Sequence, residues 1–250
     1  MTYSLIARNA DSGEIGIAVA SRFFACGALV PHIGASSAVA TQAFVNPLWG
    51  TEGLARLEAG EPANVVLADF VSRDEGQHIR QCHMLDSAGN FAAHTGRECV
   101  DWCGHLSGDL HSVAGNMLTG EAVVRATFDA YAEATDLPFP ERLLHAMRAG
   151  ETAGGDKRGR QAAGLKINRG EPYAILDLRV DDHEDPLAEL DRLLDVSRER
   201  YSHVAPAFAT TANFSGCTDR GPIDASIAAE EDRRAKLGMS TRSRATQRDS

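Results

Sequence analysis

The sequence predicts an α/β fold of the α+β kind: two antiparallel sheets face to face, with helices layered outside them as a four-layer αββα sandwich. Three observations predict it. Strand-like runs come in pairs joined by turn-forming residues, as hairpins do. Helical patterns separate these pairs instead of following each strand singly, which argues against a doubly wound parallel sheet. The run Ile15 to Ala20 is apolar on both faces, as expected of a strand covered from both sides.

In chain order, Tyr3 to Arg8 and Ile15 to Ala20 flank Asn9-Ala10-Asp11-Ser12-Gly13, whose Asp, Ser and Gly supply turn conformations. A second hairpin is expected at Arg80–Leu85 and Phe91–Thr95. A third joins Gly164–Ile167 to Tyr173–Val180, and short strands are expected at Ala38–Ala43 and Ser112–Met117. Thr51 reads as the N-cap of a helix carrying Leu54 and Leu57 and stopped by Gly60; Pro62 opens another with Val66 and Phe70 on one face. Gly120 to Ala134 presents Val124, Phe128 and Tyr131 at helical spacing, and Glu141 to Arg148 presents Leu144 and Met147. Asp185-Pro186 starts a last helix whose stripe runs from Leu187 through Leu194 to Tyr201.

The 250 residues are 43% hydrophobic and 24% charged, an ordinary globular balance. One domain over 2–225 is expected, then a polar tail over 226–250. Arg233, Arg234, Lys236, Arg242, Arg244 and Arg248 stand in that tail among few apolar residues, so it is expected to be disordered. A net charge of −10 disfavours nucleic acid and anionic lipid as partners. No run approaches the roughly 18 apolar residues of a membrane span. The N-terminus lacks the order of a signal peptide, and five irregularly spaced cysteines suit reduced thiols, so a cytoplasmic location is expected. The expected partner is a small-molecule substrate, and the expected assembly a homo-oligomer, a dimer first.

Several ordered blocks carry a resemblance. Thr2-Tyr3-Ser4-Leu5-Ile6-Ala7-Arg8, Ala18-Val19-Ala20-Ser21-Arg22-Phe23 and Ala40-Thr41-Gln42-Ala43-Phe44-Val45-Asn46-Pro47 are three of them. His94-Thr95-Gly96, Gly115-Asn116-Met117-Leu118, Ala153 to Gln161 and Arg179-Val180-Asp181-Asp182-His183 are the others. Together they resemble the bacterial family catalogued as domain of unknown function 1028, grouped with the N-terminal nucleophile (Ntn) hydrolases. The resemblance implies the αββα sandwich and points to an amide-bond hydrolase with Thr2 as its nucleophile. It supplies no substrate.

Removal of Met1 is favoured before a small residue. The Thr2 hydroxyl would then lie beside its own α-amine, of pKa about 7.7–8.0, which can take the hydroxyl proton. The plain alternative is a threonine that only begins a strand. Support for Thr2 is expected from Ser21, Arg22 or Asn46, and oxyanion donors from the amides of Asn46 and Asn116, residues that equally serve turns. In the loop from Gly154 to Gln161, Lys157, Arg158 and Arg160 suit a substrate carboxylate and Asp156 could orient a guanidinium; an exposed basic loop is the bland reading. Asp182 and His183 join the expected substrate-binding set. Asp181 and His183 share a face in extended chain, which leaves a metal-assisted hydrolase as an alternative beside a non-catalytic Ntn-fold binding protein. His94, Cys99, Cys103 and His105 lack the paired spacing of a zinc site. No cofactor and no bound metal are expected.

Overall fold

The computed structural model describes residues 2–246. In chain order the elements are β1 (Thr2–Arg8), β2 (Ile15–Ser21), α1 (Cys26–Leu29), β3 (Pro31–Ile33), β4 (Ala38–Ala43), α2 (Pro47–Glu58) and α3 (Ala63–Arg73). Then come β5 (Arg80–Leu85), β6 (Phe91–Thr95), β7 (Trp102–Ser107), β8 (His111–Leu118), α4 (Glu121–Glu133) and α5 (Phe139–Thr152). The rest are β9 (Ala162–Asn168), β10 (Leu176–Val180), α6 (Pro186–Glu199), α7 (Tyr201–Val204) and α8 (Gly221–Lys236). Contacts group the chain into two compact units, one through Leu190 and one from Asp191 on, where the sequence led us to expect one domain ending at 225.

The first unit holds two antiparallel sheets, ordered β10-β9-β2-β1-β8-β7 and β3-β4-β5-β6. The expected first hairpin lies at the centre of the larger sheet, with Tyr3 opposite Ala20 and Arg8 opposite Ile15. The sheets meet through β1 against β4 and β8 against β5, while α4 and α5 cover the outside of the larger sheet and α2 and α3 that of the smaller. Strand β2 shows why its sequence is apolar throughout. Ile15, Ile17 and Val19 enter the core between the sheets with Ala38, Ala40 and Leu85. Gly16 faces the other way, so close to α5 that a Cβ there would lie 2.5 Å from Leu143 and 3.0 Å from Phe139. Each buried aliphatic side chain contributes about 1.5–3 kcal/mol to this arrangement.

Several boundaries differ from expectation. Helix α2 starts earlier because Asn46, not Thr51, is its N-cap: its side chain accepts the Leu48 N–H at 3.1 Å, and Pro47 fills the first helical position. Helix α6 stops at Glu199, so Tyr201 falls in α7. Strands β3 and β7 were not expected; the first has three residues, and the second carries a register shift between Trp102 and Gly104. Within the second unit, α8 runs through residues expected to be disordered. Arg234 is the physical reason: buried, it meets Asp195 at 3.0 Å, Glu230 at 2.9 Å and Glu199 at 3.6 Å, so part of the basic run is paired with acid. Residues 247–250 of the expected tail lie outside the described residues. Among the described residues no helix is long and apolar enough to cross a membrane.

One close approach makes the fold testable. Gly164 of β9 and Gly27 of α1 meet backbone to backbone, and a Cβ on Gly164 would lie 2.7 Å from the Gly27 Cα. Neither backbone can rotate aside as a side chain would. Gly164→Ala is therefore expected to lower stability by roughly 1–3 kcal/mol, read as an earlier midpoint in urea unfolding; an unchanged midpoint would show that α1 is not held against the sheet.

Candidate functional site

Successive inward-facing residues of the central strands form layers across the sandwich. At one end the layer is Thr2, Ser21 and Asn116 from the larger sheet with Gln42 and Gln81 from the smaller. The next contains Ser4, Val19 and Ala114 with Ala40 and His83. Beyond it Ile6, Ile17 and Ser112 face Ala38 and Leu85. The registers fix these groupings: Thr2 lies opposite Asn116, Ser4 opposite Ala114 and Val19, and Gln42 opposite Gln81. The interior thus grows more polar toward Thr2.

Hydrogen bonds satisfy that polar end. Gln81 Nε2 donates to Thr95 Oγ1 at 2.9 Å, the Gly115 carbonyl at 2.8 Å and the Gly104 carbonyl at 3.1 Å, while its Oε1 accepts from Gln42 at 2.8 Å and Asn116 at 2.9 Å. Ser4 donates to Gln42 Oε1 at 2.8 Å. A carbonyl oxygen only accepts, so the Ser4 hydroxyl proton is committed and His83 Nε2 must donate to Ser4 across 2.9 Å. His83 Nδ1 then accepts from Ser112 at 3.0 Å, and Ser112 accepts from Ser107 at 2.9 Å. The chain runs one way and fixes a neutral imidazole. Burial is the larger cause, and His105 the smaller, that pushes His83 down to about 3.

Thr2 sits at the open end of this seam, 6% exposed, with its Oγ1 3.1 Å from Ser21 Oγ. Asn116 Nδ2 reaches the Thr2 carbonyl at 3.4 Å. Thr2 borders a cavity of about 50 Å³ with Phe23, Cys26, Gln42, Ala43 and Val45. A larger groove, about 250 Å³, lies alongside and is lined by Phe44, Ile79, Cys99, Val100, Asn116, Met117 and Arg158 among others. Ala43 lines both. Ala43 and Met117 have left-handed backbone, at φ 69° and 56°. Such strain in residues other than glycine gathers at functional sites.

The cationic loop is tied to this end by Asp156. Its buried carboxylate accepts the Arg22 N–H at 2.6 Å and the Arg158 N–H at 2.8 Å, and the Gln161 N–H donates to the Ser21 carbonyl at 3.1 Å. Gly154 makes the entry possible: its φ is +126°, and a Cβ there would lie 2.2 Å from Thr119 Oγ1. Of the three cations, only Arg158 lines the groove. Lys157 pairs with Asp101 at 3.0 Å. Arg160 pairs with Asp185 at 2.9 Å and Glu151 at 3.4 Å. Glu151 also receives the Tyr3 hydroxyl, and Tyr3 points to the opposite face of β1 from Thr2, so Arg160 stands on the helix side of the sheet.

The other expected residues have structural partners. Arg22 donates through Nη1 to the Arg158 carbonyl at 2.7 Å and so props the loop. Asp182 accepts from the Gln161 amide at 3.0 Å, and His183 Nδ1 accepts the Asp185 N–H at 2.9 Å, both at the foot of the loop. Asn46 is turned elsewhere: beyond capping α2 it donates to Asp74 at 3.0 Å and lines a separate cleft with Trp49 and Phe70. Among the described residues no three His, Cys, Asp or Glu side chains are placed to hold a metal ion, and Asp181 and His183 therefore lack a third ligand of that kind. The sequence reading missed Ser4, Gln81, His83 and Ser112. Their signal was pairs of polar residues two apart in strands, Thr2 with Ser4 and Gln81 with His83, and the polar Ser112 on the same face of its strand as Asn116.

The site and fold together define an α/β protein of two antiparallel sheets whose interior becomes polar around the first residues of the chain. Residues 2–190 match the Family of unknown function (DUF1028), and the chain belongs to that family. It is similar to a Silicibacter pomeroyi protein of the same family known from a crystal structure, with 30% identity and a TM-score of 0.81 over 88% of this chain and 96% of that one. Among curated proteins nothing matches.

Two outcomes test this geometry. Asp156→Ala leaves two backbone N–H groups without their acceptor, so stability is expected to fall by about 1–3 kcal/mol and trypsin to cut sooner after Lys157 or Arg158; unaltered cleavage would mean the carboxylate does not hold the loop. His83 is depressed in the folded chain, so the unfolded chain binds the extra proton as pH falls. The stability this residue contributes is complete above about pH 6.5 and is lost between there and about 3. His83→Gln is expected to unfold at lower urea at pH 7 yet to lose less stability between pH 6.5 and 4, by up to about 1.4 kcal/mol per pH unit. Parallel pH profiles for the two proteins would contradict the assignment.

Proposed function

We propose that this protein is an amide-bond hydrolase of the N-terminal nucleophile kind, acting through Thr2 on a small amide that bears a carboxylate. One observation carries the reading. Thr2 begins a central strand at the mouth of the polar seam, with its hydroxyl 3.1 Å from the Ser21 hydroxyl, its carbonyl met by the Asn116 carboxamide, and its side lining the smaller of two adjoining cavities.

Removal of Met1 would give Thr2 a free α-amine. That amine takes the Oγ1 proton as Oγ1 attacks the carbonyl carbon, and the carbonyl π pair moves onto oxygen. Collapse of the tetrahedral adduct breaks the C–N bond, and the ammonium returns its proton to the departing nitrogen. Water then enters by the same route, breaks the Thr2 ester and leaves a carboxylic acid and the original threonine. Ser21 orients Oγ1. Gln81 holds one N–H of the Asn116 amide at 2.9 Å; the other, in long contact with the Thr2 carbonyl at 3.4 Å, is the one that would turn to the oxyanion. Arg158, the one expected cation that lines the groove, would hold the carboxylate.

Intact mass decides the first requirement: the mature protein is expected to lack Met1, and a retained Met1 blocks the amine and leaves a binding role in its place. Against a panel of N-acyl amides, dipeptides and cyclic imides, Thr2→Ala is expected to fall to background while its stability changes by less than about 1 kcal/mol. Thr2→Ser keeps the hydroxyl–amine pair and should retain part of the rate. Full turnover by folded Thr2→Ala would remove Thr2 from the chemistry.

A further inference from the structure

We infer that the groove beside Thr2 selects amides in which a compact apolar group and a carboxylate lie next to each other, as in amides of hydrophobic amino acids. The inference rests on the acyl-transfer reading for its reaction, but the groove's binding preference stands on separate observations. Its walls are Phe44, Ile79, Val100 and Met117, and its volume is about 250 Å³, room for an aromatic or branched aliphatic side chain. Phe44 and Val100 are 70% and 56% exposed, large apolar surfaces turned to solvent where a ligand would cover them.

Two charged residues line the same space. Glu98 is paired with His78 at 3.7 Å and Arg97 at 3.5 Å. Arg158 meets Asp156 through Nη2 at 3.4 Å, and that carboxylate already takes two shorter backbone N–H bonds. A ligand carboxylate can therefore compete for the guanidinium, and bidentate pairing would reward it. The left-handed backbone at Ala43 and Met117 shapes two of the groove's own residues. Ala43 also borders the Thr2 cavity, and Asn116 borders the groove while touching the Thr2 carbonyl, so a side chain in the groove places its neighbouring amide toward Thr2.

Calorimetric titration with N-acetylphenylalanine, N-acetylphenylalaninamide and N-acetylglycine tests this, on the wild-type protein and on Thr2→Ala. N-acetylphenylalanine is expected to bind at least about tenfold tighter than either comparator. Arg158→Gln should bring the acid and its amide to one affinity while keeping the preference over N-acetylglycine. The same pattern in Thr2→Ala supports the groove whether or not Thr2 proves to be a nucleophile, so the two readings fail separately. Equal affinity for the acid and its amide in the wild-type protein would overturn the proposal. So would equal affinity for the phenylalanine and glycine compounds, or no heat of binding from any of the three.

Discussion

Gln81 joins the two sheets at the point where apolar packing gives way. Its carboxamide reaches β4 through Gln42, β6 through Thr95, β7 through the Gly104 carbonyl, and β8 through Asn116 and the Gly115 carbonyl. A buried primary amide whose oxygen accepts twice and whose two N–H groups are shared among three acceptors has no unmet demand, which is the condition for tolerating such a group between sheets. A partial network would cost more than an apolar residue in the same place. Asn116 touches both Gln81 and the Thr2 carbonyl, so the start of the chain is positioned from the smaller sheet as well as from its own strand neighbours.

The hairpins were legible because their information is local. Turn residues at Asn9–Gly13 and Asp86–Asn90 stand between runs of the right length, and the pairing needs no distant partner. Asn46 was misread for a similar reason. A side chain amide before Pro47 is a strong cap signal, yet the conspicuous Thr51 drew the helix start five residues late, and the cap was given a chemical role instead. The site itself was only partly legible. Thr2, Ser21 and Asn116 were named, but their meeting with Gln42 and Gln81 depends on two sheet registers and the stacking of one sheet on the other. No spacing along the chain encodes that.

The loop after α5 shows how composition misleads when charge is read without partners. Three cations within four residues suggested one anion clamp. The fold instead sends them to three places, Lys157 to Asp101, Arg160 to the helix side with Glu151 and Asp185, and Arg158 to the groove. What holds the loop is the single acid among them. Asp156 is buried because two backbone N–H groups solvate it, a trade that replaces water with fixed donors and places Arg158 by its own main chain.

Departures from ordinary sequence rules fall near one end of the sandwich. Polar residues take inward strand positions at Thr2, Ser21, Gln42, Gln81 and Asn116. The left-handed residues other than glycine among the described residues are Ala25, Ala43, Asp101 and Met117, and each lines, or is next in sequence to a residue that lines, one of the two adjoining cavities. Exposed Phe23, Phe44 and Val100 line those same cavities. Each departure costs stability by itself, and stability alone gives no reason for them to collect in one place. Folded chains break local rules where binding or chemistry requires it and keep them elsewhere. The opposite end departs less: Ile6, Ile17, Ala38 and Leu85 pack there as an apolar core, with Ser112 the one polar residue of that layer. That contrast, within the same strands and over a few residues of each, marks this end as the candidate functional site on grounds separate from what Thr2 does there.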